Sequence, residues 1–310
     1  MDRRQAYLAT WLVALTVAQA ATLLAVYRLF VQTRTGQAVD TISLTANWIG
    51  RDELERPVNL VLNAMSVVSL ALVTALVFFI AVFRRRFLLA VVATLVIAGA
   101  NLSTQLLKLR GLRPDYGIDP DRVDVGNTLP SGHTTIAASV AIALILVLPR
   151  AISGPGALAL TGWAAFAGVA TLAAGWHRPS DAVAAFLVAG VWASAAGLLL
   201  VAFDRTDPPG SGFSRPPGAA VLLVLSGLGA LALAGVLLWL THDVINWSIE
   251  ELSPRRFLVA YAGGAVGIAG TACLVLGLVA ATVPYLVPRR SPLERPQPDL
   301  PPDSSIDRVS

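Results

Sequence analysis

Charged residues, lysine and cysteine are all scarce in this sequence. Only 14% of its 310 residues are charged and 55% are hydrophobic, whereas an average soluble domain carries roughly a quarter charged residues. This composition excludes a soluble globular protein. The single cysteine, Cys273, excludes an internal disulfide framework and a cysteine-based metal site. The lack of a basic stripe excludes a nucleic-acid partner. The single lysine, Lys108, marks its own position for attention.

Long uncharged apolar runs alternate with short segments that hold nearly all of the charges. A membrane span must satisfy its own backbone hydrogen bonds, so it is a helix of about 20 residues. The pattern predicts an all-α, polytopic transmembrane helical bundle, and the segments between the spans, such as Thr33–Arg56, are predicted to be loops. The eight predicted spans are Tyr7–Val31, Pro57–Phe83, Phe87–Leu107, Thr134–Leu148, Ala157–Trp176, Ser180–Phe203, Gly218–Leu240 and Phe257–Val287.

Loop composition divides the chain into four predicted parts. Residues 1–203 form a six-span core, and residues 204–217, rich in Pro, Gly and Ser, form a loop. Residues 218–287 hold two additional spans, and residues 288–310 form a disordered cytoplasmic tail rich in Pro, Asp and Ser. A cleaved signal peptide is the alternative for the first apolar run. That run continues through Thr22–Val31 without a break, which favours a retained span.

The placement of arginine predicts how the bundle is oriented. Cytoplasmic loops carry an excess of Lys and Arg. The total count is nearly balanced between the two sides, so the dense triplet Arg84–Arg86, in a very short loop, decides the orientation. It predicts a multi-pass protein of the cell membrane with both termini in the cytoplasm. Three loops rich in polar and basic residues then share the extracytoplasmic side.

The first of these loops, Pro130–His133, has the sequence PSGH and runs directly into the fourth span. The start of a helix has unpaired N–H groups that attract anions. Gly132 lets the backbone approach a phosphate closely, and the Ser131 hydroxyl can cap the helix or bond to a phosphate oxygen. His133 then stands in the first turn. A plain serine-capped helix with an interfacial histidine is the alternative.

The second loop, His177–Asp181, has the sequence HRPSD, in which Pro179 suits the opening turn of a helix. Asp181 lies four residues after His177, where a carboxylate can accept the imidazole N–H and fix its tautomer. The other ring nitrogen is then free to attack, as in other nucleophilic sites. An interfacial histidine followed by an acidic residue that suits the helix dipole is the alternative.

The third loop, Lys108–Pro114, has the sequence KLRGLRP and supplies Lys108, Arg110 and Arg113. A basic membrane anchor is the alternative interpretation, but these charges lie on the side that orientation rules make poorer in cations. An anionic phosphate would relieve the repulsion among them.

In this order, Arg113-Pro114, PSGH and H-x-P-S-D resemble the motifs of the type 2 phosphatidic acid phosphatase (PAP2) family, which is related to the vanadium haloperoxidases. The motifs span about Lys108 to Asp181, and the six-helix layout covers about Met1 to Phe203. The resemblance implies a phosphatase that needs neither metal nor cofactor. His177 would form a phosphohistidine, Asp181 would orient it, and His133 would protonate the leaving oxygen. The implied phosphate-binding residues are Lys108, Arg113, Ser131 and Gly132.

Two positions depart from the family pattern. Its first motif usually places lysine seven residues before the arginine of Arg-Pro, which is Leu106 here, so Lys108 is a shifted stand-in. Its third motif usually has Ser-Arg where this chain has Ala170 and Thr171. Loss of one cation that stabilises the transition state costs about 3 kcal/mol. Arg178 and Arg110 are the candidate substitutes, and the effect of Thr171 on activity is left open.

The expected activity is hydrolysis of a lipid phosphate or diphosphate, such as phosphatidic acid, phosphatidylglycerol phosphate or a polyprenyl (di)phosphate. The lipid substrate and the bilayer are the expected partners. A phosphotransferase with the same intermediate and a catalytically degenerate lipid-phosphate binding or transport protein are the alternatives. The lipid, the oligomeric state and the role of the last two spans are left open.

Overall fold

Helices make up nearly all of the described part of the chain. The computed structural model describes residues 3–48, 51–63, 67–118, 126–203, 218–241 and 253–286, which contain no β-strand. The helices are α1 (Arg3–Val26, continued by a π-helical turn, Tyr27–Val31), α2 (Arg34–Thr45), α3 (Arg51–Asn63), α4 (Val67–Phe83), α5 (Phe87–Arg110), α6 (Gly132–Val147), α7 (Ser153–Ala173), α8 (Pro179–Phe203), α9 (Gly218–Trp239) and α10 (Pro254–Leu286), with short 3-10 turns at Ala46–Trp48 and Arg150–Ile152. The predicted all-α bundle is confirmed.

Six of these helices are long and apolar enough to cross a membrane. They are Gln5–Val31, Phe87–Arg110, Ser153–Ala173, Pro179–Phe203, Gly218–Trp239 and Pro254–Leu286. The other two predicted spans contain shorter apolar helices, Val68–Phe83 and Gly132–Val147. The predicted span Pro57–Phe83 contains the last part of α3 and all of α4. Residues 64–66, the predicted loop 204–217 and the predicted tail 288–310 lie outside the described residues.

The prediction that Thr33–Arg56 is a loop is wrong, because α2 lies within it. The Thr33 side chain caps this helix by accepting a hydrogen bond from the Gly36 amide at 3.0 Å. Every residue from 37 to 44 is buried, and the Ser43 hydroxyl donates to the Ala260 carbonyl of α10 at 2.9 Å. The sequence of α2 mixes polar and apolar residues, so this helix does not resemble a membrane span. Packing against neighbouring helices stabilises it.

The long helix α10 lies against α9 and also packs on α2, α6, α7 and α8. Its contact with α8 is close at Gly264, where a Cβ atom would lie 2.6 Å from Cγ of Pro179. A larger residue at this position would therefore push on the first turn of α8. The boundary that separates residues 1–203 from the last two helices stays a prediction.

Glycines allow α9 and α10 to approach each other closely. A Cβ atom at Gly227 would lie 2.6 Å from the backbone nitrogen of Leu274, and one at Gly277 would lie 2.9 Å from Cβ of Leu223. Small residues at such a helix interface are typical of membrane bundles, where close packing replaces the hydrophobic effect.

We expect Gly227→Ala to lower the apparent melting temperature of the detergent-purified protein, because the new methyl group meets backbone that cannot move aside. Overpacking of this kind costs about 1–3 kcal/mol. Gly229→Ala is the matched control on the same helix, since a Cβ atom there meets nothing within 4 Å. It should leave the melting temperature unchanged or slightly raised. Equal effects of the two substitutions would contradict this packing.

Candidate active site

The His177 imidazole and the Asp181 carboxylate form a pair at the start of α8. Nδ1 of His177 lies 3.1 Å from Oδ2 of Asp181, and the side chain of His177 is 12% exposed whereas that of Asp181 is fully buried. With its proton on Nδ1 and donated to this carboxylate, the ring keeps a lone pair on Nε2. The four-residue spacing in the sequence therefore produces the predicted geometry.

Two hydrogen bonds tie the PSGH turn to the HRPSD segment. The Thr128 hydroxyl donates to Oδ2 of Asp181 at 2.6 Å, and the Ser131 amide donates to the Asp181 carbonyl at 2.8 Å. The Arg178 amide donates to the same Oδ2 at 3.2 Å. Together with the His177 ring, the Thr128 hydroxyl and the Arg178 amide give the carboxylate three donors. The Ser131 bond holds the start of α6 beside the start of α8.

The PSGH turn begins α6 with a serine cap. The fully buried Ser131 accepts a hydrogen bond through Oγ from the Thr134 amide at 3.4 Å. Of the two roles predicted for this hydroxyl, capping the helix or bonding to a phosphate oxygen, the structure has the first. The amides of Gly132 and His133 precede the first amide that finds an acceptor within the helix. They give the turn two backbone donors suited to an anion.

Lys108 reaches this turn from the last turn of α5. Its Nζ atom would lie 3.7 Å from a Cβ atom placed on Gly132, and its charge acts on both Asp181 and the His133 ring. Leu106, the usual lysine position of the family, is 50% exposed. The shifted lysine is thus directed at the site, whereas the family position lies on the exposed side of the helix.

Arg113 lies close enough to two carboxylates of the site region to act on both electrostatically. Its charge acts on Asp181 and on Asp40, and its two terminal nitrogens are buried. The loop that carries it is fixed by α1 and α2, since the Tyr27 hydroxyl donates to the Leu112 carbonyl at 2.8 Å and Nε2 of Gln37 donates to the Pro114 carbonyl at 2.9 Å. These contacts orient the first motif.

The histidines predicted to act together do lie at one end of the bundle. The charge of His177 acts on the His133 ring, and the centroids of the His133 and Trp176 rings are 5.3 Å apart, with the ring planes at 49°. Trp176, 41% exposed, was not anticipated in the sequence. It covers one side of His133.

The structure separates the two candidate substitutes for the missing arginine. Arg178 is 4% exposed, and its Nε donates to the Thr41 hydroxyl of α2 at 3.3 Å. Arg110 is exposed at the end of α5. Thr171 itself is fully buried, and its hydroxyl donates back to the Gly168 carbonyl at 2.8 Å. Phosphate binding by Arg178 or Arg110 stays a prediction.

Asp40, on α2, is a residue that the sequence analysis missed. It is 2% exposed, and its carboxylate accepts from the Ser180 amide at 3.1 Å and from the Ser180 hydroxyl at 2.5 Å. Burial and the nearby Asp181 charge raise the pKa of Asp40 from 3.8 to about 6, against the lowering effects of Ser180 and Arg113. Nothing in the sequence around Asp40, in a segment interpreted as a loop, indicated this position.

The described residues hold no group of three or more His, Cys, Asp or Glu side chains suited to a metal ion. What they bring together are two imidazoles, two cations, two free helix-start amides and a carboxylate that orients one imidazole. This set suits the binding of a tetrahedral anion and an attack on it by a ring nitrogen.

Comparison with known proteins agrees with this chemistry. Residues 89–205 match the family described as the PAP2 superfamily. This chain carries a PAP2 domain. The domain contains all three motif loops and extends from α5 to just beyond the end of α8, so α1–α4, α9 and α10 lie outside the match. No curated protein and no solved structure matches the chain. The PAP2 domain and the apolar helices together indicate a membrane phosphatase.

Proposed function

We propose that this protein is a lipid phosphatase that hydrolyses a lipid phosphate or diphosphate through a phosphohistidine at His177. The observation that carries the proposal is the 3.1 Å contact between Nδ1 of His177 and Oδ2 of Asp181. It lies beside Lys108, Arg113 and His133, in a chain with six helices of membrane length. The proposal puts this end of the bundle at the extracytoplasmic face, and the arginine triplet Arg84–Arg86 in a short loop supports that orientation.

The reaction has two steps. In the first, Nε2 of His177 forms a bond to phosphorus while the bond from phosphorus to the lipid oxygen breaks, and His133 gives its proton to that oxygen. In the second, water attacks the phosphorus, its proton passes to His133, and the phosphorus–nitrogen bond breaks to release inorganic phosphate. Lys108, Arg113 and the amides of the α6 start hold the phosphoryl oxygens.

The surroundings of Lys108 favour a lipid over a water-soluble phosphate ester. The flanking Leu106 and Leu109 are 50% and 80% exposed, respectively, on a helix of membrane length. A cation at the end of an apolar helix face suits a ligand whose phosphate lies at the interface and whose chain lies in the bilayer.

Phosphate release from a substrate panel tests the proposal. Detergent-purified protein is given phosphatidic acid, phosphatidylglycerol phosphate, a polyprenyl phosphate and a polyprenyl diphosphate in mixed micelles with a chelator, and glycerol 3-phosphate in solution. We expect at least one lipid to be hydrolysed with a kcat/KM about 100-fold above that of glycerol 3-phosphate, a difference of about 3 kcal/mol. No release from any lipid would contradict the proposal. A phosphorylated product that forms only when an alcohol acceptor is added would identify a transferase.

Lys108→Ala is expected to lower kcat/KM about 100-fold, because a cation that stabilises the transition state is lost. The double variant Lys108→Ala with Leu106→Lys restores lysine at the usual family position. We expect no recovery, since position 106 faces away from the turn at Gly132. The single Leu106→Lys variant is the control and should keep near wild-type activity. Recovery in the double variant would contradict this orientation of position 106, and full activity of Lys108→Ala would contradict the role assigned to Lys108.

A degenerate binding protein is the second candidate, and Thr171 favours it. The Thr171 side chain is buried and bonded within its own helix, so it provides no cation at the position where the family usually has arginine. A binder would retain a lipid phosphate on the purified protein without releasing phosphate and without incorporating label at His177. Turnover in the substrate panel would exclude it.

A further inference from the structure

Asp40 bonds to the HRPSD segment from a distant part of the chain. Its two carboxylate oxygens accept separately from the Ser180 amide, at 3.1 Å, and from the Ser180 hydroxyl, at 2.5 Å. One residue further along α2, the Thr41 hydroxyl accepts from Nε of Arg178. A single turn of α2 therefore holds the residue after His177 and the residue before Asp181.

The charged groups around Asp40 come from two other elements. The Arg113 guanidinium, on the loop after α5, and the Asp181 carboxylate, on α8, both act on it, and Arg178 lies beside the neighbouring Thr41. Three residues further along α2, the Ser43 hydroxyl donates to the Ala260 carbonyl of α10, and Gly264 of α10 lies close to Ser43 and to Pro179. Asp40 thus lies behind the site and connects its third motif to the arginine of its first.

The contact with Ser180 does not by itself require a charged acceptor at position 40. The amide oxygen of asparagine could accept from the Ser180 amide without the cost of burying a charge. What asparagine cannot supply is a negative charge beside Arg113. If Asp40 is neutral, the negative charge of Asp181 has two tasks. It acts on Arg113, and it also accepts the hydrogen bond that orients the His177 ring.

We infer that Asp40 is a positioning residue for the proposed phosphatase reaction. Its carboxylate fixes Ser180 at the start of α8 and shares the charge of Arg113 with Asp181, so that Asp181 stays aligned with His177 and Arg113 stays available to a phosphoryl group. The inference rests on the proposed function. It concerns a residue outside the matched segment 89–205, so the PAP2 motifs do not assign it.

The inference has a pH signature. Because the pKa of Asp40 is raised to about 6, the carboxylate is ionised at pH 7.5 and protonated at pH 5. The side-chain amide that Asp40→Asn introduces would be neutral at both pH values. The ratio of wild-type kcat to Asp40→Asn kcat should therefore be large at pH 7.5 and fall toward one as the pH falls through about 6. A role confined to stabilising the fold would leave this ratio independent of pH.

The experiment compares Asp40→Asn, Ser180→Ala and the control Asp115→Asn, which alters an exposed aspartate of the loop after Arg113. We expect Asp40→Asn to lower kcat at pH 7.5 by about 10- to 100-fold, as small misplacements of reacting groups do, with a smaller change in KM. Ser180→Ala should cost less at pH 7.5, because the Asp40 charge remains. Its kcat should still fall at low pH, with the midpoint moved upward, because the Ser180 hydroxyl no longer lowers the pKa of Asp40. Asp115→Asn should be neutral.

Folding is checked on the same samples. The folded-state pKa of Asp40 lies above its ordinary value of 3.8, so ionisation of Asp40 opposes folding above about pH 6. Asp40→Asn should therefore not lower the apparent melting temperature at pH 7.5. Wild-type kcat in Asp40→Asn, a ratio that does not change with pH, or a loss of activity that parallels a lower melting temperature would each overturn the inference. Failure of the proposed function differs from these outcomes, because the wild-type protein would then release no phosphate.

Discussion

Replacement of His177 by alanine is expected to reduce phosphate release from a lipid phosphate by about 10,000-fold or more, as removal of a nucleophile does in other enzymes with covalent intermediates. His177 is the imidazole that Asp181 orients, and Asp181 is itself held by Thr128 and the Arg178 amide. No second imidazole of the described site has such a partner within hydrogen-bonding distance, so His133 cannot take over the attack.

The measurement is inorganic phosphate released at saturating substrate, together with the label on protein that is denatured in alkaline SDS after incubation with a ³²P-labelled lipid phosphate. Wild-type protein should carry acid-labile, base-stable label, and His177→Ala should carry none. His242→Ala is the control, because His242 is the third histidine of the chain and lies outside the PAP2 match. If His177→Ala turned over at the wild-type rate or still carried the label, the proposed mechanism would be wrong.

His133→Ala is expected to slow hydrolysis of a lipid phosphate about 1,000-fold, within the range that a general acid contributes. The departing lipid alkoxide is a strong base that needs a proton, whereas p-nitrophenolate leaves without one. With p-nitrophenyl phosphate the first step should therefore survive the substitution. The second step should not, because His133 is also the base that activates water.

A stopped-flow trace distinguishes these steps. His133→Ala mixed with p-nitrophenyl phosphate should release a burst of about one p-nitrophenolate per enzyme, followed by slow turnover, while label accumulates on His177. The variant His177→Ala should show neither burst nor label with the same substrate. Equal losses for His133→Ala with the lipid and with p-nitrophenyl phosphate, without a burst, would remove the acid–base role of His133.

The apolar helices could be predicted because the bilayer imposes a strong local pattern on each span. Every predicted span contains a helix in the described residues, including the short α6. The helix α2 could not be found in this way, since it is neither long nor uniformly apolar. Its burial depends on Ser43 and Ile42 packing against α10, more than 200 residues away in the chain.

The candidate site was predictable to the extent that its chemistry lies in short motifs. The Asp181–His177 contact follows from a four-residue spacing, and the role of Ser131 as a helix cap follows from its place before Gly132. The partner of Ser180 does not follow from any spacing. Asp40 reaches it only through the tertiary arrangement, and no neighbouring residue marks that aspartate as different from others in the chain.

The placement of α2 and α10 has a consequence for biosynthesis. The nucleophile's segment rests on α2, which precedes the PAP2 domain in the chain, and on Gly264 of α10, which follows it. While the ribosome is still producing residues 89–205, α10 and its contact with Pro179 do not yet exist. The start of α8 can therefore complete its packing only after α10 has been synthesised and has docked.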